Sequence, residues 1–295
     1  MSVKSGKPRV SVGVPVRNGE RFLVETLDSL LGQTYTGFEL IISDNASTDN
    51  TEAICREYAA RDPRVRYYRS PQDVGLANNY NSLFARAEGD YFKWAAADDI
   101  HEPEYLARCL EVLERDPGVV LAYGKTRFID ENGGPLSNTD PGFDLRSDAA
   151  PERLRYVIFA EHWVNAIFGL IRKQVLARTS LLPSYPGADY ALLGELAVAG
   201  KFFEVPEPLL LRRLHPAASS QNTSDASWRV RFWTGSGGTS MPFWSRSRDH
   251  WMTIMRSSLS AWEKISLGGS LLRSMVSRRR HLAGELTAAS LQKFT

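Results

Sequence analysis

Short apolar runs alternate with segments of helical periodicity over the first 125 residues of the chain. The apolar runs predict five β-strands, over residues 9–14, 38–43, 65–69, 91–94 and 119–123. Apolar residues spaced three and four apart predict helices over residues 20–31, 51–60, 76–87 and 102–114. This alternation is typical of an α/β fold with a mostly parallel sheet flanked by helices.

The pattern is less regular after residue 125. Residues 130–151 are rich in turn-forming residues and predict a surface excursion. Further on, the chain predicts a helix over residues 189–199 and strands over residues 201–205 and 209–214. From residue 225 the composition shifts towards Trp, Arg, Ser and Gly, which indicates a separate C-terminal extension.

The composition is that of a globular protein, with 43% hydrophobic and 24% charged residues. No apolar run is long enough to span a bilayer, and residues 1–9 lack the apolar core of a secretory signal. We therefore expect a cytoplasmic location. Cys55 and Cys109 lie in predicted helices without further metal ligands nearby, so we expect two reduced, partly buried thiols.

The charge is unevenly distributed: residues 225–295 carry +7, and the rest of the chain carries −5. Five Trp residues are interspersed with Arg in this extension, over residues 228–262. Such a segment suits peripheral contact with the inner face of a membrane, a homodimer contact, or packing on the main domain. Nucleic acid is not expected as a partner, because no recognised binding motif accompanies the charge.

Four segments, read together and in order, resemble family 2 glycosyltransferases, which have the GT-A fold. They are residues 10–20, 39–51, 73–81 and 97–106. Each of these segments lies in or next to a predicted strand or helix. Order and spacing match over about residues 8–125 and more weakly to about residue 220. The resemblance implies a Rossmann-like catalytic domain over residues 1–224, whose halves bind the nucleotide-sugar (1–125) and the acceptor (126–224), followed by the helical extension 225–295.

The resemblance also implies a donor nucleotide site at the carboxyl ends of the first strands. Asp44 would accept a hydrogen bond from the base, which suits uracil, thymine or guanine, with UDP as the default. The alternative for Arg17 is a solvated loop cation, and the alternative for Asp73 and Asn78 is turn and cap chemistry. The implied donor residues are Pro15, Val16, Arg17, Glu20, Asp44, Asn45, Asp73, Asn78, Ala97, Asp98 and Asp99.

The acidic pair Asp98 and Asp99 follows the predicted strand 91–94, where a substrate crevice is expected. Carboxylates can hold Mg²⁺ or Mn²⁺, which bridges to the phosphates and neutralises the leaving diphosphate. By resemblance Asp98 is a metal ligand, and His215 completes the metal or diphosphate site. Many relatives carry a further Asp where this chain has Ala96. The alternative is that the pair only caps the next helix.

The second half is expected to supply the base and the acceptor site. Asp189 matches the Asp of the acidic pair that precedes a helix in relatives, whereas the first acid is replaced by Ala188. We expect Asp189 to act as base in an inverting transfer, with helix capping as the alternative. Arg212 or Arg213 would bind the diphosphate. Acceptor contacts are expected from Trp163, Asn165 and Phe168, with core packing as the alternative.

The expected activity is metal-dependent, inverting transfer of a sugar from a nucleotide diphosphate to a hydroxyl of a saccharide or lipid-linked acceptor. One alternative is a binding protein of the same fold that has lost catalysis, which Ala96 and Ala188 keep open. A sugar nucleotidyltransferase would need a glycine-rich loop after the first strand, and residues 15–19 contain one glycine. A dinucleotide-dependent dehydrogenase is excluded because Gly-x-Gly-x-x-Gly is missing there.

Overall fold

A computed structural model describes residues 7–138, 140–160, 165–216, 218, 226–236 and 240–291. The strands within these ranges form one sheet of order β3-β2-β1-β4-β7-β6-β8-β5. They are β1 (Val10–Val16), β2 (Phe38–Asp44), β3 (Val65–Arg69), β4 (Tyr91–Trp94), β5 (Ile100–His101), β6 (Val119–Ile129), β7 (Leu170–Arg172) and β8 (Lys201–Arg213).

Helices cover both faces of the sheet and continue past its last strand. Those of the first half are α1 (Leu23–Leu31), α2 (Thr51–Arg61), α3 (Leu76–Arg86) and α4 (Tyr105–Arg115). The helices of the middle of the chain are α5 (Ala150–Phe159), α6 (Lys173–Leu176) and α7 (Asp189–Ala199), with a 3₁₀ turn at Asn165–Phe168. The C-terminal helices are α8 (Ala226–Thr234), α9 (Pro242–Arg256), α10 (Ala261–Ser277) and α11 (Arg279–Leu291).

The α/β prediction is confirmed, with parallel pairing throughout the half of the sheet that contains β3, β2, β1 and β4. Every residue of β1 and β2 is buried, because helices pack on both faces of a parallel sheet. The pairings of β7 with β4 and β6, and of β5 with β8, are antiparallel. Of the seven pairings within the described ranges, four are therefore parallel.

Strand β8 is longer than its sequence predicts. Two strands were expected, over residues 201–205 and 209–214, but the structure has one strand from Lys201 to Arg213. Its pairing with β6 is irregular around Gly124–Thr126, where Pro206 and Pro208 interrupt the ladder because proline has no N–H to donate. The strand then resumes regular pairing and also pairs with β5, so its last residues reach the segment that follows β4.

Residues 130–151 are only partly a surface excursion. Phe143 and Leu145 are buried in the core. Leu145 also exchanges two backbone hydrogen bonds with Phe202 of β8, at 3.1 and 3.0 Å. Turn-forming residues predicted the loop correctly, but the prediction that the whole segment lies on the surface was wrong for these two apolar residues.

The C-terminal helices pack on the unit formed by the sheet. Helix α8 contacts α3, α9 contacts α7, and α10 contacts α5. A Cβ added at Gly75, which precedes α3, would lie 2.3 Å from the backbone N of Gly235, so the two segments meet backbone to backbone. Cys55 and Cys109 are both free and buried. Within the described residues, no helix is both long enough and apolar enough to cross a bilayer.

Candidate active site

A cleft of about 560 Å³ opens beside the carboxyl ends of β1, β2 and β4 and the end of β8. This is where a parallel sheet is expected to bind its ligand. Most residues that the sequence singled out line the cleft: Pro15, Val16, Arg17, Glu20, Asn45, Asp73, Ala97, Asp98, Asp99, Phe168, Arg212, Arg213 and His215.

The loops that follow β1 and β2 form one wall of the cleft and are joined by hydrogen bonds. The N–H of Asn45 donates to the carbonyl of Val16 (2.8 Å), and the N–H of Gly19 donates to Thr51 Oγ1 (2.9 Å). Glu20 Oε2 accepts from the N–H of Asn50 (2.9 Å). These contacts hold the wall at a fixed distance from the sheet.

Asp73 connects this wall to the segment before α3. Its Oδ1 accepts a hydrogen bond from Asn45 Nδ2 (2.7 Å), and its Oδ2 pairs with the guanidinium of Arg17. Asn45 Oδ1 in turn accepts from the N–H of Val74 (2.8 Å). Arg17, Asn45 and Asp73 therefore form one polar network at the rim of the cleft.

Two predicted donor residues do not line the cleft. Asp44 is fully buried, and its carboxylate accepts from the N–H of Ser47 and the hydroxyl of Tyr67, both at 2.8 Å. Asn78 is exposed on the outer side of α3 and donates to the carbonyl of Val74. The roles expected of Asp44 and Asn78 stay predictions.

The neighbouring Asn79 lines the cleft instead of Asn78. Successive helical residues point about 100° apart, and in α3 Asn79 is buried whereas Asn78 is exposed. Asn79 Nδ2 donates to the carbonyl of Ser43 (3.0 Å), whereas its buried Oδ1 has no hydrogen-bond partner among the described residues. A buried amide oxygen at a cleft wall is an acceptor for a ligand hydroxyl or N–H.

Asp98 and His215 meet at the floor of the cleft. His215 Nε2 lies 3.0 Å from Asp98 Oδ2, and the ring of Phe22 packs 4.8 Å from the imidazole. Asp99 lies behind them, where its Oδ1 accepts from the N–H of Arg213 (2.9 Å). Burial raises the pKa of Asp99 above its ordinary value, and the adjacent carboxylate of Asp98 raises it further.

The two predicted diphosphate arginines occupy opposite faces of β8, because successive strand residues alternate. The guanidinium of Arg213 is buried and donates to the carbonyl of Asp98 (3.0 Å), to two carbonyls of the 130–131 turn, and to Glu25 (2.5 Å). Arg212 is partly buried and donates to Asn165 Oδ1. Both arginines line the cleft, and Arg213 also holds the Asp98 segment to β8.

Asp189 is the first residue of α7, and Gly187, two positions before it, has φ +81°. Burial raises the pKa of its carboxyl, while the N–H of Tyr190 and the cations Arg212 and Arg246 oppose this rise. Arg246 belongs to α9, and its guanidinium stacks 4.9 Å from the ring of Tyr190. Asp189 lies outside the wall of the cleft itself, and its charge acts on Tyr80, which lines the cleft.

The predicted acceptor residues have three different outcomes. Phe168 lines the cleft, and its carbonyl accepts from Lys93 Nζ (2.6 Å) and the Tyr105 hydroxyl (2.9 Å). Asn165 is buried behind it and links Arg212 to Asp140, to whose Oδ2 it donates (2.6 Å). Trp163 lies outside the described residues.

Three aromatic residues line the cleft that the sequence did not single out: Phe22, Tyr80 and Phe232. Tyr80 shares the cleft-facing side of α3 with Leu76 and Asn79, one turn apart, so the phase of that helix was a usable signal. Phe232 comes from α8, which the chain brings back over the cleft from the C-terminal extension. No local sequence pattern predicts that α8 lies beside the cleft.

The donor set at Asp98 and His215 is compatible with a divalent cation. It offers one carboxylate oxygen and one imidazole nitrogen towards the cleft. No cluster of three or more His, Cys, Asp and Glu side chains suited to a metal exists in the part of the chain that the structure describes. A cation held here would take its remaining ligands from phosphate oxygens and water, as Mg²⁺ commonly does.

Comparison with known proteins connects this geometry to a family. Residues 11–174 match the model described as "Glycosyl transferase family 2". The chondroitin synthase of Escherichia coli is 34% identical over 131 residues, which are 44% of this chain and 19% of that protein. The chondroitin synthase of Pasteurella multocida is 27% identical over 225 residues, or 76% of this chain and 22% of that protein. The chain thus spans about a fifth of the length of these relatives.

Solved structures share the architecture. The crystal structure of S. aureus TarS 1-349 in complex with UDP-GlcNAc superposes with a TM-score of 0.70 and 17% identity, covering 91% of this chain and 73% of that one. The mannosyltransferase PcManGT from Pyrobaculum calidifontis, in complex with GDP-Man and Mn²⁺, gives a TM-score of 0.59 at 17% identity, covering 97% and 76%. At this identity the likeness establishes the fold alone, which is the GT-A fold.

Proposed function

The chain belongs to glycosyl transferase family 2, and we propose that it transfers a sugar from UDP to a hydroxyl of a saccharide or lipid-linked acceptor, with a divalent metal ion and inversion at the anomeric carbon. The observation that carries the proposal is the cleft at the carboxyl ends of β1, β2 and β4, in which Asp98 and His215 stand 3.0 Å apart. Two relatives are named chondroitin synthases, and two solved structures of this fold are complexes with UDP-GlcNAc and with GDP-Man, which supports a nucleotide-sugar donor.

The donor nucleotide would lie along the wall made by the loops after β1 and β2. In this arrangement the Arg17–Asp73–Asn45 network contacts the nucleoside, and the unpartnered Oδ1 of Asn79 accepts a hydrogen bond from it. Uridine fits this proposal because its ring N3–H is a donor that a single acceptor can satisfy. The buried oxygens of Asp44 support the same wall from behind through Tyr67 and Ser47.

The diphosphate would lie at the floor of the cleft. Asp98 and His215 are the residues that would hold the divalent ion, which supplies neutralisation of the leaving diphosphate when bound. Arg212 supplies a fixed positive charge on the same side, and Asn165 orients its guanidinium. Arg213 keeps the Asp98 segment in place through the carbonyl of Asp98 and through Asp99.

The base proposed for the transfer is Asp189. A base for an acceptor hydroxyl works best when its pKa lies closer to the working pH than that of an ordinary carboxylate, and burial raises the pKa of Asp189 in that direction. The opposing charges of Arg212 and Arg246 limit this rise in the pKa of Asp189. Attack by the deprotonating hydroxyl opposite the leaving UDP would invert the anomeric carbon.

The proposal is tested by thermal shift with UDP, GDP, dTDP and CDP, each with and without Mn²⁺. A ligand that binds only the folded protein raises the melting temperature. We expect a shift with UDP that requires Mn²⁺ and is lost in Asp98→Asn. Glu57→Gln is the matched control, since Glu57 is an exposed carboxylate on α2 far from the cleft.

Donor turnover is then measured as release of UDP from UDP-sugars, with saccharide acceptors present. Release that requires Mn²⁺ and Asp189 supports the transferase. A metal-dependent shift without any release, on the acceptors or on water, would favour the alternative of a nucleotide-sugar-binding protein, which Ala96 at the cleft wall keeps open. Absence of a shift with every nucleotide would overturn the donor site.

A further inference from the structure

Helix α10 has apolar side chains on two opposite faces. One face, centred on Leu267 and Leu271, is buried in a cluster with residues of α5 and α9. The opposite face exposes four large apolar residues at helical spacing: Trp262, Ile265, Leu272 and Val276. Trp262 is 78% exposed and Ile265 is 64% exposed. An amphipathic helix needs only its buried face, and no packing among the described residues accounts for the second apolar stripe.

Helix α9 extends the stripe into a broader surface. Trp251 and Met255, one turn apart on α9, are both about half exposed, at 47% and 49%. Trp251 reaches α10, because a Cβ added at Gly268 would lie 3.4 Å from the indole. We call this surface the α9–α10 face, and it consists of Trp251, Met255, Trp262, Ile265, Leu272 and Val276.

The surroundings of the α9–α10 face are cationic. Residues 240–291 contain seven Arg and one Lys against three acidic residues, which gives +5. Exposed Arg256 follows Met255 at the end of α9, and exposed Arg273 follows Leu272 on α10. Arg155 of α5 borders the same helix and donates to Ser266 (3.2 Å).

The positive charge around the α9–α10 face favours a lipid surface over a second copy of the chain as its partner. If a second copy of the chain bound through this face, the same positively charged helices would face each other and repel. A lipid surface with anionic headgroups offers opposite charge to the arginines and apolar volume to the side chains between them. Tryptophan side chains are also enriched at the boundary between lipid and water, because the indole is apolar with one polar N–H.

We propose that the α9–α10 face binds the surface of a membrane that contains anionic phospholipids. The apolar side chains enter the headgroup region, and Arg256 and Arg273 contact lipid phosphates. Helix α9 also packs on α7, whose first residue is the proposed base Asp189, so membrane binding would bring the lipid surface to the same part of the molecule as that base. This placement favours a lipid-linked acceptor over a soluble one, a point that rests on the proposed function, whereas the binding itself does not.

Membrane binding is measured by sedimentation with vesicles of phosphatidylcholine alone or mixed with phosphatidylglycerol. We expect the full chain to sediment with the mixed vesicles and much less with phosphatidylcholine. Trp262→Ser with Ile265→Ser should weaken binding at least about tenfold, from the loss of two inserted apolar side chains. The control is Val24→Ser, an exposed apolar residue on α1, which should leave binding unchanged.

A second pair of variants tests the charge. Arg256→Gln with Arg273→Gln should weaken binding about fivefold per arginine and reduce its sensitivity to salt, while Arg56→Gln, on α2, should not. An unchanged melting temperature without ligand verifies that each variant is folded and keeps this test separate from that of the donor site. Equal sedimentation of wild type and both pairs would overturn the proposal. So would a dimer, seen by light scattering, that Trp262→Ser with Ile265→Ser dissociates without changing vesicle binding.

Discussion

Asp98 and His215 lie 117 positions apart in the chain, yet Asp98 Oδ2 and His215 Nε2 stand 3.0 Å from one another. Asp98 follows β4, and His215 follows the end of β8, which Arg213 ties to the carbonyl of Asp98. The pair therefore exists because the long strand β8 returns to the segment after β4. This closure of the cleft by a distant strand is what makes a shared cation site feasible.

The first prediction concerns this pair. Asp98→Asn and His215→Ala should each weaken Mn²⁺-dependent UDP binding about tenfold or more, because each removes one of the few protein ligands available to the cation. Titration calorimetry with UDP, with and without Mn²⁺, measures the effect. Glu57→Gln should bind as wild type does. If metal-free UDP binding falls by the same factor as metal-dependent binding, the residues contact the nucleotide rather than a cation.

The second prediction concerns the pH dependence of transfer. Asp189 must be ionised to act as a base, so the rate should fall as the pH falls through its raised pKa. The positive charge of Arg246 opposes the rise in the pKa of Asp189. Arg246→Gln should therefore move the acidic limb of the pH profile of kcat/KM to higher pH. Asp189→Asn should lower kcat by about 10²–10⁴-fold with little change in donor binding.

Two arginine variants on α9 serve as controls for the pH measurement. Arg246→Lys keeps the positive charge beside Tyr190 and should leave the limb close to its wild-type position. Arg248→Gln removes an exposed arginine that pairs with Asp249, and it should not move the limb. If Arg246→Gln leaves the acidic limb of kcat/KM in place, a group other than Asp189 controls that limb.

The sequence predicted the first half of the fold well. Strands β1, β2 and β4 are buried at every position, so their mostly apolar runs are a strong signal, whereas only Val65 of β3 is buried. Asp98 follows β4. The position of Asn79 was missed because a shift of one residue on α3 decides which side chain faces the sheet. Phe232 was missed because only the return of α8 brings it to the cleft.

The third prediction separates the adjacent residues Arg212 and Arg213. Arg213→Gln should lower the free energy of unfolding by about 2–4 kcal/mol, since several buried carbonyls lose a charged donor. Arg212→Gln should change the free energy of unfolding by less than about 1 kcal/mol and weaken UDP binding about tenfold. Urea unfolding and calorimetry on both variants provide the measurement. Equal loss of stability would show that both side chains are structural.

The fourth prediction concerns the contact between α8 and the start of α3. A Cβ at Gly75 would lie 2.3 Å from the backbone N of Gly235, and Gly75 has φ +79°. Gly75→Ala should therefore lower the free energy of unfolding by about 3 kcal/mol or more, from backbone strain and the clash together. Because α8 also carries Phe232 to the cleft, UDP binding should weaken as well.

Gly133 provides the matched control for this clash. It has φ +85°, but a Cβ there would meet nothing within 4 Å, so Gly133→Ala should cost only the backbone strain, about 1–2 kcal/mol. Urea unfolding of the two variants isolates the clash as the difference between them. Equal losses would mean that α8 moves away from Gly75 without cost, and the helix would then be a loosely held cover of the cleft. A larger loss for Gly75→Ala, together with weaker UDP binding, would establish that the C-terminal helices are part of the donor site rather than an independent appendage.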